Sequence, residues 1–239
     1  MKFFYLEEID STNKYAKEHI NQFEDLTVIY TSRQLDGRGR MERKWTFTGE
    51  NNVYASIILK PSSQMKELYS NLTQYLSLIL AETLEEYGIF PLIKWPNDLR
   101  VNGKKISGIL AEAVIEKGIL KGIVLGVGVN LSSSKEELSE INQPCTSLFI
   151  ETGNKIDKEL FLKKLSTNFC LRYNKFIEEG FLLIREDYKK RAEFLNSTVT
   201  VKVFDKEISG TAIDITESGA LKLIDDYKEE HVLLIGDIL

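Results

Sequence analysis

The feature that most constrains the fold is the segment 90–131, in which short apolar runs alternate with turn-forming residue pairs. These pairs are Asn97-Asp98, Asn102-Gly103 and Lys117-Gly118. Pairs of this kind join antiparallel strands through tight turns, so the segment predicts a series of β-hairpins. A largely antiparallel sheet is therefore expected at the centre of the chain.

Further strands and helices are predicted on both sides of this segment. Residues 26–32 and 53–59 are rich in β-branched side chains, which favours strands. Apolar residues recur at helical spacing in 71–88 and 158–180, and a shorter helical stretch then reaches about residue 191. The sum is an α+β fold, with a mixed, mainly antiparallel sheet backed by helices.

The pattern changes near Asn196, where four short strand-like runs follow one another, joined by charged turns. Regularly spaced short strands predict a small β-barrel of about 45 residues. We therefore expect two domains, residues 1–192 and residues 193–239.

Charge and composition narrow the class of function. The formal net charge is −5 and the sequence pI is about 5.3, which argues against a dedicated nucleic-acid binder. Cys145 and Cys170 are expected to be reduced thiols. His19 and His231 have no His or Cys companions at metal spacing, so no protein-bound metal is expected. With neither a signal peptide nor a membrane-spanning stretch in the sequence, a cytoplasmic protein is expected.

One segment concentrates positive charge in this acidic chain. Residues 37–45, GRGRMERKW, combine four basic side chains with two glycines and Trp45. Glycine lets a backbone approach a ligand, arginine matches phosphate and carboxylate groups, and an indole ring can stack on a base. The segment therefore predicts a loop that closes on a nucleotide, although an ordinary solvated loop has the same composition.

A second segment, KWPNDLRVNGKKISGI at residues 94–109, predicts a hairpin that returns Lys104 or Lys105 close to Asp98. A carboxylate beside a lysine can balance charge, orient a group or accept a proton. The alternative is a surface ion pair that contributes less than about 1 kcal/mol.

Two shorter segments are weaker signals. GVGVNL, residues 126–131, lacks the third glycine of a dinucleotide fingerprint, and favours a strand whose glycines leave room for a flat ligand beside Asn130. In IDSTN, Ser11 or Thr12 is suited to cap a helix that starts near Asn13. Ligand contact by the same hydroxyls is also open.

The order of these segments resembles the biotin protein ligase family: STN, then QxxGRGRxxRxW, then KWPND with GxKxxGI, then GxGxN. The resemblance runs from about Phe3 to Leu239. It implies a class II synthetase-like catalytic domain followed by an SH3-like barrel. It also implies that the chain makes biotinyl-5′-AMP from biotin and ATP, with Mg²⁺ arriving with ATP. The biotin would then pass to a lysine of a biotin carboxyl carrier protein, such as that of acetyl-CoA carboxylase.

The resemblance also implies roles for individual residues. Biotin contacts are implied for Ser11, Thr12, Asn13, Gln34, Gly37, Arg38, Gly39, Arg40, Lys105, Gly108 and Gly126. Adenylate or ATP contacts are implied for Arg38, Arg40, Arg43, Trp45, Lys105 and Asn130. Catalytic roles are implied for Lys105, Asp98 and Arg43, with Lys105 holding the biotin carboxylate and the α-phosphate.

Some features depart from the family pattern, and some alternatives stay open. Met41-Glu42 stand where many members carry further glycine and arginine, which is expected to alter the loop's dynamics. STN begins at residue 11, which leaves no room for a helix-turn-helix, so no repressor role on DNA is expected. A lipoate or octanoate transferase of the related fold and a non-catalytic biotin sensor are the competing functions. Either a monomer or a ligand-dependent homodimer fits the sequence.

Overall fold

In the computed structural model, which describes residues 1–41, 43–60 and 71–239, a seven-stranded sheet forms the centre of the molecule. Its strands are β1 (Lys2–Ile9), β2 (Thr27–Gln34), β5 (Val53–Leu59), β6 (Leu92–Lys94), β7 (Asp98–Val101), β8 (Lys104–Glu116) and β9 (Ile119–Val129). The strands β3 (Gly37–Arg38) and β4 (Lys44–Trp45) form a separate two-stranded ribbon. The strand order is β1-β2-β5-β9-β8-β7-β6. Only β1 and β2 pair in parallel, so the sheet is mixed and mainly antiparallel, as predicted.

Helices cover both faces of this sheet. They are α1 (Thr12–Glu18), α2 (Leu72–Glu85), α3 (Lys135–Leu138), α4 (Leu148–Thr152), α5 (Lys158–Glu179) and α6 (Arg185–Lys190), with 3₁₀ turns at Ile20–Gln22 and Gly180–Leu183. Because both faces are covered, every residue of β5 is buried. The main core includes stacked rings of Tyr75 and Phe176 between α2 and α5. Within the part of the chain that the structure describes, no helix is both long and apolar enough to cross a membrane.

Most predicted elements are present, with shifted ends. The strand at 53–59 has the predicted bounds, and the helix predicted at 158–180 ends where Gly180 adopts a φ of 70°. The helix predicted at 71–88 ends at Glu85, three residues earlier than expected. Strand β1 was not predicted. Glu42, which belongs to the unusual Met41-Glu42 pair, lies outside the described residues.

The C-terminal part forms a separate antiparallel sheet. Its strands are β10 (Thr198–Val203), β11 (Lys206–Ile215), β12 (Leu221–Ile224), β13 (Glu230–Leu233) and β14 (Asp237–Ile238). The order is β13-β12-β11-β10-β14, and the two end strands do not pair with each other, so the expected barrel is not closed. The small β module is thus confirmed as a sheet, while the boundary at residues 192/193 stays a prediction.

Candidate active site

A cleft of about 800 Å³, counting its open mouth, lies where β8 and β9 face the 37–45 segment. The structure brings most of the predicted site residues into its wall: Ser11, Thr12, Asn13, Gln34, Arg38, Gly39, Arg40, Arg43, Trp45, Asp98, Lys105, Gly108 and Gly126. Gly37 and Asn130 are not in this wall. Gly37 lies directly behind the wall, since a Cβ there would stand 2.5 Å from the amide nitrogen of Gln34.

The inner wall of the cleft is a buried hydrogen-bond network at the start of α1. Ser11 caps the helix by accepting a hydrogen bond from the backbone N–H of Lys14, as the sequence predicted. The backbone N–H and the hydroxyl of Thr12 both donate to Oε1 of Gln34, at 3.0 and 3.2 Å. The Gln34 carbonyl is thereby occupied, which leaves its amide nitrogen as the donor toward the cleft.

Ser56, which the sequence did not single out, joins this network from β5. Its hydroxyl lies 2.6 Å from Oδ1 of Asn13 and 2.8 Å from the hydroxyl oxygen of Thr12. Gly126 on β9 makes room for the Asn13 side chain, because a Cβ at position 126 would stand 2.3 Å from Oδ1 of Asn13. The space that was expected for a ligand at Gly126 is therefore taken by Asn13.

The opposite end of the cleft holds a lysine–carboxylate pair. Nζ of Lys105 lies 2.7 Å from Oδ2 of Asp98, across the β7–β8 hairpin. The predicted return of a lysine to Asp98 is thus confirmed for Lys105, while Lys104 is exposed. The Lys105 and Asp98 side chains are only 16% and 19% exposed, so their attraction is less screened than that of a surface pair. An incoming anion would meet a lysine that is already held in place.

Two neighbours modify the charge around this pair. Lys94 stands opposite Asp98 in the β6–β7 register. Burial lowers the pKa of Lys94, and the Arg100 charge lowers it further, against the opposing attraction of Asp98. On the other side, burial raises the pKa of Cys145, against the opposing effect of Lys105, so its thiol stays protonated and is a poor nucleophile. Lys94 was missed, although it opens the KWPND motif.

The basic segment is more regular than the predicted loop, because β3 and β4 pair in it as a short antiparallel hairpin. The Trp45 ring lies flat on two strand glycines. A Cβ at Gly128 would stand 2.3 Å from the ring, and one at Gly108 would stand 3.1 Å from it. Lys105 Nζ is 5.7 Å from the ring centre, a cation–π distance. The indole therefore occupies the glycine surface on which a flat ligand was expected.

The tip of this hairpin is anchored by the C-terminal sheet. Asp237 lies 3.4 Å from Nη2 of Arg40 and 3.6 Å from Nη2 of Arg43, and Arg40 also donates to the carbonyl of Gly236 at 3.1 Å. Asp237 is only 6% exposed and lines the cleft. It was missed, because a single acid in the apolar run HVLLIGDIL carries no pattern that points to a contact far along the chain.

Three further residues complete the picture. Asn97 and Gln143 line the cleft without having been predicted. Asn130 is 3% exposed and donates to the carbonyl of Thr146 at 3.1 Å, so its implied contact with the adenylate stays a prediction.

One cluster of possible metal ligands, Asp225, Glu229 and His231, lies outside the cleft on the C-terminal sheet. Asp225 accepts hydrogen bonds from the backbone N–H groups of Tyr227 and Glu229, and its other oxygen lies 2.9 Å from the His231 ring. The hydrogen bond to His231 lowers the pKa of Asp225. These bonds account for the cluster as a network that closes the turn before β13.

Comparison with known proteins places this geometry in context. The model of the biotin/lipoate A/B protein ligase family matches residues 5–130, and that of the biotin protein ligase C-terminal domain matches residues 194–239. The bifunctional ligase/repressor BirA of Bacillus subtilis is 30% identical over 92% of this chain and 68% of its own length. The corresponding BirA of Escherichia coli is 31% identical, over 91% of this chain and 68% of its own length.

A shorter relative and a solved structure match nearly end to end. The biotin–[acetyl-CoA-carboxylase] ligase of Paracoccus denitrificans is 29% identical over 90% of both chains. The biotin protein ligase from Aquifex aeolicus, solved with biotin and ATP, superposes with a TM-score of 0.87 and 28% identity, covering 100% of this chain and 97% of that one. With its cleft, its two sheets and these matches, the chain belongs to the biotin/lipoate A/B protein ligase family.

Proposed function

We propose that this chain is a biotin protein ligase, which activates biotin with ATP and transfers it to a lysine of a carrier protein. The observation that carries the proposal is the Lys105–Asp98 pair, which lies in one cleft with Arg38, Arg40 and Arg43. With Lys44, five cationic side chains line this cleft, which suits a reaction between anions in a chain of net charge −5. The names of the relatives and the complex with biotin and ATP support biotin as the acid that is activated.

In the first half-reaction, a biotin carboxylate oxygen bonds to the α-phosphorus of ATP, and the bond to pyrophosphate breaks. Two anions approach one another, and negative charge builds on the phosphoryl oxygens. Lys105 would hold the carboxylate and the α-phosphate together, while Arg38, Arg40 and Arg43 would bind phosphate oxygens. Fixed positive charge of this kind stabilises the transition state more than the separated reactants.

The cleft carboxylates bear on the role of Mg²⁺. Asp98 pairs with Lys105, and Asp237 pairs with Arg40 and Arg43. Both are engaged by cations, so we propose that Mg²⁺ is held mainly by the phosphates of ATP, where it would reduce their negative charge. Such a metal would arrive and leave with the nucleotide.

In the second half-reaction, the amine of a carrier lysine attacks the acyl carbon of biotinyl-5′-AMP and AMP leaves. The amine must give up a proton, and Asp98 is placed to accept or orient it. The proposed partner is the biotin carboxyl carrier protein of acetyl-CoA carboxylase, as the relatives' names suggest. We propose no nucleic-acid partner, which the net charge of −5 supports.

We further propose that residues 1–192 form the catalytic domain and residues 193–239 a second domain.

ATP as a co-substrate supports a cytoplasmic location. β1 is an end strand of the seven-stranded sheet in the described part of the chain, so a second copy could pair with its edge. Either a monomer or a ligand-dependent homodimer is therefore proposed.

The test is biotin-dependent exchange of labelled pyrophosphate into ATP, with lipoate and octanoate run in parallel. Exchange with biotin alone is the expected result, since only adenylation makes pyrophosphate exchange into ATP. Exchange with lipoate or octanoate would move the chain to the neighbouring activity of its family. Biotin binding by calorimetry without exchange would instead show a sensor.

A further inference from the structure

The side-chain amide of Asn13, on the inner wall of the cleft, is fixed at both ends. Its oxygen faces the Ser56 hydroxyl at 2.6 Å. Its nitrogen donates to Oε2 of Glu112 at 2.8 Å and, more weakly, to the Leu110 carbonyl at 3.4 Å. Glu112 lies on β8 and is not in the wall of the cleft, but it lines an adjoining cavity with Arg38 and Arg40, so it reaches Asn13 from the edge of the site.

The same carboxylate also binds a second residue of α1. Its other oxygen pairs with Nζ of Lys17, and both side chains are partly shielded, at 28% exposed for Lys17 and 23% for Glu112. Asn13 and Lys17 are four residues apart and so share one face of the helix. Glu112 therefore contacts helix α1 at two residues one turn apart, Lys17 and Asn13, and Asn13 immediately follows Ser11 and Thr12 in the sequence.

An ionised carboxylate is an acceptor only, and this property decides which way Asn13 faces. Turning the amide over would set the Asn13 oxygen against the Glu112 carboxylate and would leave its nitrogen facing Ser56. The Ser56 hydroxyl could accept from that nitrogen and donate to Thr12, so the Glu112 carboxylate and the Leu110 carbonyl alone decide the orientation, and with it the direction of the Ser56 proton. The order of donors and acceptors along the inner wall thus depends on the charge of the Glu112 carboxylate.

We propose that Glu112, held by Lys17, is a positioning residue for biotin binding: it fixes the Asn13 amide and with it the hydrogen-bond polarity of the inner wall. This inference rests on the proposed function, because it takes biotin as the ligand of that wall. The simpler alternative is a structural ion pair between β8 and α1, which would affect thermal stability without any link to Asn13.

The test is a double-mutant cycle read as the Kd for biotin, measured by calorimetry on the whole chain. Glu112→Ala is expected to weaken biotin binding about tenfold, since one charge-assisted hydrogen bond to Asn13 is lost. Glu112→Gln, which keeps the side-chain volume but can donate, is expected to weaken it several-fold. In an Asn13→Ala background, Glu112→Ala should have almost no further effect, because its route to the ligand is gone.

A matched control and a kinetic readout separate this role from stability. Glu82→Ala breaks the Glu82–Arg172 pair between α2 and α5, in which the Glu82 side chain is as shielded as that of Glu112, and should leave the Kd for biotin unchanged. In exchange assays the Glu112 variants should raise KM for biotin and leave KM for ATP as it is. Unchanged Kd in both Glu112 variants, or losses that add to that of Asn13→Ala, would overturn the inference. If the unaltered chain fails to bind biotin, the proposed function falls as well, which is a different and recognisable result.

Discussion

At the scale of single residues, the Lys105–Asp98 pair shows what short-range patterns can deliver. Seven positions separate the two residues, and Asn102-Gly103 lies between them as a turn. A hairpin therefore brings them together whatever the rest of the chain does. The local sequence was sufficient for a lysine beside Asp98, either Lys104 or Lys105, and for a helix cap at Ser11 or Thr12. The structure selects Lys105 and Ser11.

Replacing Lys105 by alanine tests the centre of the proposed chemistry. We expect pyrophosphate exchange to fall at least about 100-fold, the usual loss when one preorganised charge that stabilises a transition state is removed. Lys104→Ala is the control, because Lys104 is the exposed neighbour on the same strand. Exchange at the unaltered rate in a folded Lys105→Ala protein would refute the assigned role.

The residues that sequence reasoning missed share a physical cause. Ser56, Glu112 and Asp237 each contact a partner that lies far away in the sequence. Ser56 and Glu112 contact Asn13, 43 and 99 positions away, and Asp237 contacts Arg40, 197 positions away. No local periodicity encodes such meetings, since only the tertiary fold sets them. Trp45 was a predicted site residue, but its contact with Gly108 and Gly128 was not predicted, because those glycines lie on two strands from another part of the chain.

At the scale of elements, β1 shows why one strand escaped prediction. It is an edge strand in which almost every residue is exposed, so buried and exposed side chains do not alternate along it. Strand prediction relies on such alternation or on a continuous buried run, as in β5. The open C-terminal sheet was missed for a related reason. Four strand-like runs indicate neither that the last run holds two strands, β13 and β14, nor whether the ends of the sheet meet.

Helix α6 and strand β11 are joined by a charge cluster that gives a pH-dependent prediction. Asp214 lies 2.7 Å from both Lys189 and Arg185. Burial alone would raise the pKa of Asp214, but the Lys189 hydrogen bond, the Ile215 backbone N–H and the Arg185 charge outweigh it, so the pKa is lowered. The stability this group contributes is therefore full above its unfolded pKa of about 3.9, and is lost as the pH falls through its lower folded value.

Asp214→Asn should accordingly lower Tm at pH 7 by about 2–4 °C, which corresponds to about 1 kcal/mol for a partly exposed pair in a chain of this size. The difference from the unaltered chain should shrink as the pH is lowered below about 4. Differential scanning calorimetry from pH 7 to pH 3 measures it. Asp205→Asn, at an exposed position without an ion pair among the described residues, is the control. A difference that stays constant with pH would contradict the assignment.

At the scale of the whole molecule, the two sheets meet at the active site. Asp237 of the C-terminal sheet is the buried counter-charge for Arg40 and Arg43 of the catalytic hairpin. The proposed binding of phosphate by the same arginines would compete with Asp237. The C-terminal sheet is thereby part of the machinery that sets the loop's position before nucleotide enters.

Asp237→Asn should release the hairpin without altering the rest of the fold. We expect trypsin to cleave the ligand-free protein within residues 37–45 several-fold faster, because two ion pairs that hold its arginines are lost. Biotin and ATP together should restore protection, since phosphate replaces the missing charge. Asp226→Asn, at an exposed position in the turn between β12 and β13, is the control. Equal cleavage of the two variants would show that Asp237 does not hold the loop.

The Asp237 contact also sets an order of events during synthesis. Arg40 leaves the ribosome almost two hundred residues before its partner, and contacts that close so long a loop form late and slowly. Until then the arginine hairpin has no anchor, even if the sheet beneath it has folded. The ion pairs that join the arginine hairpin to the C-terminal sheet can therefore form only after β14 has been synthesised.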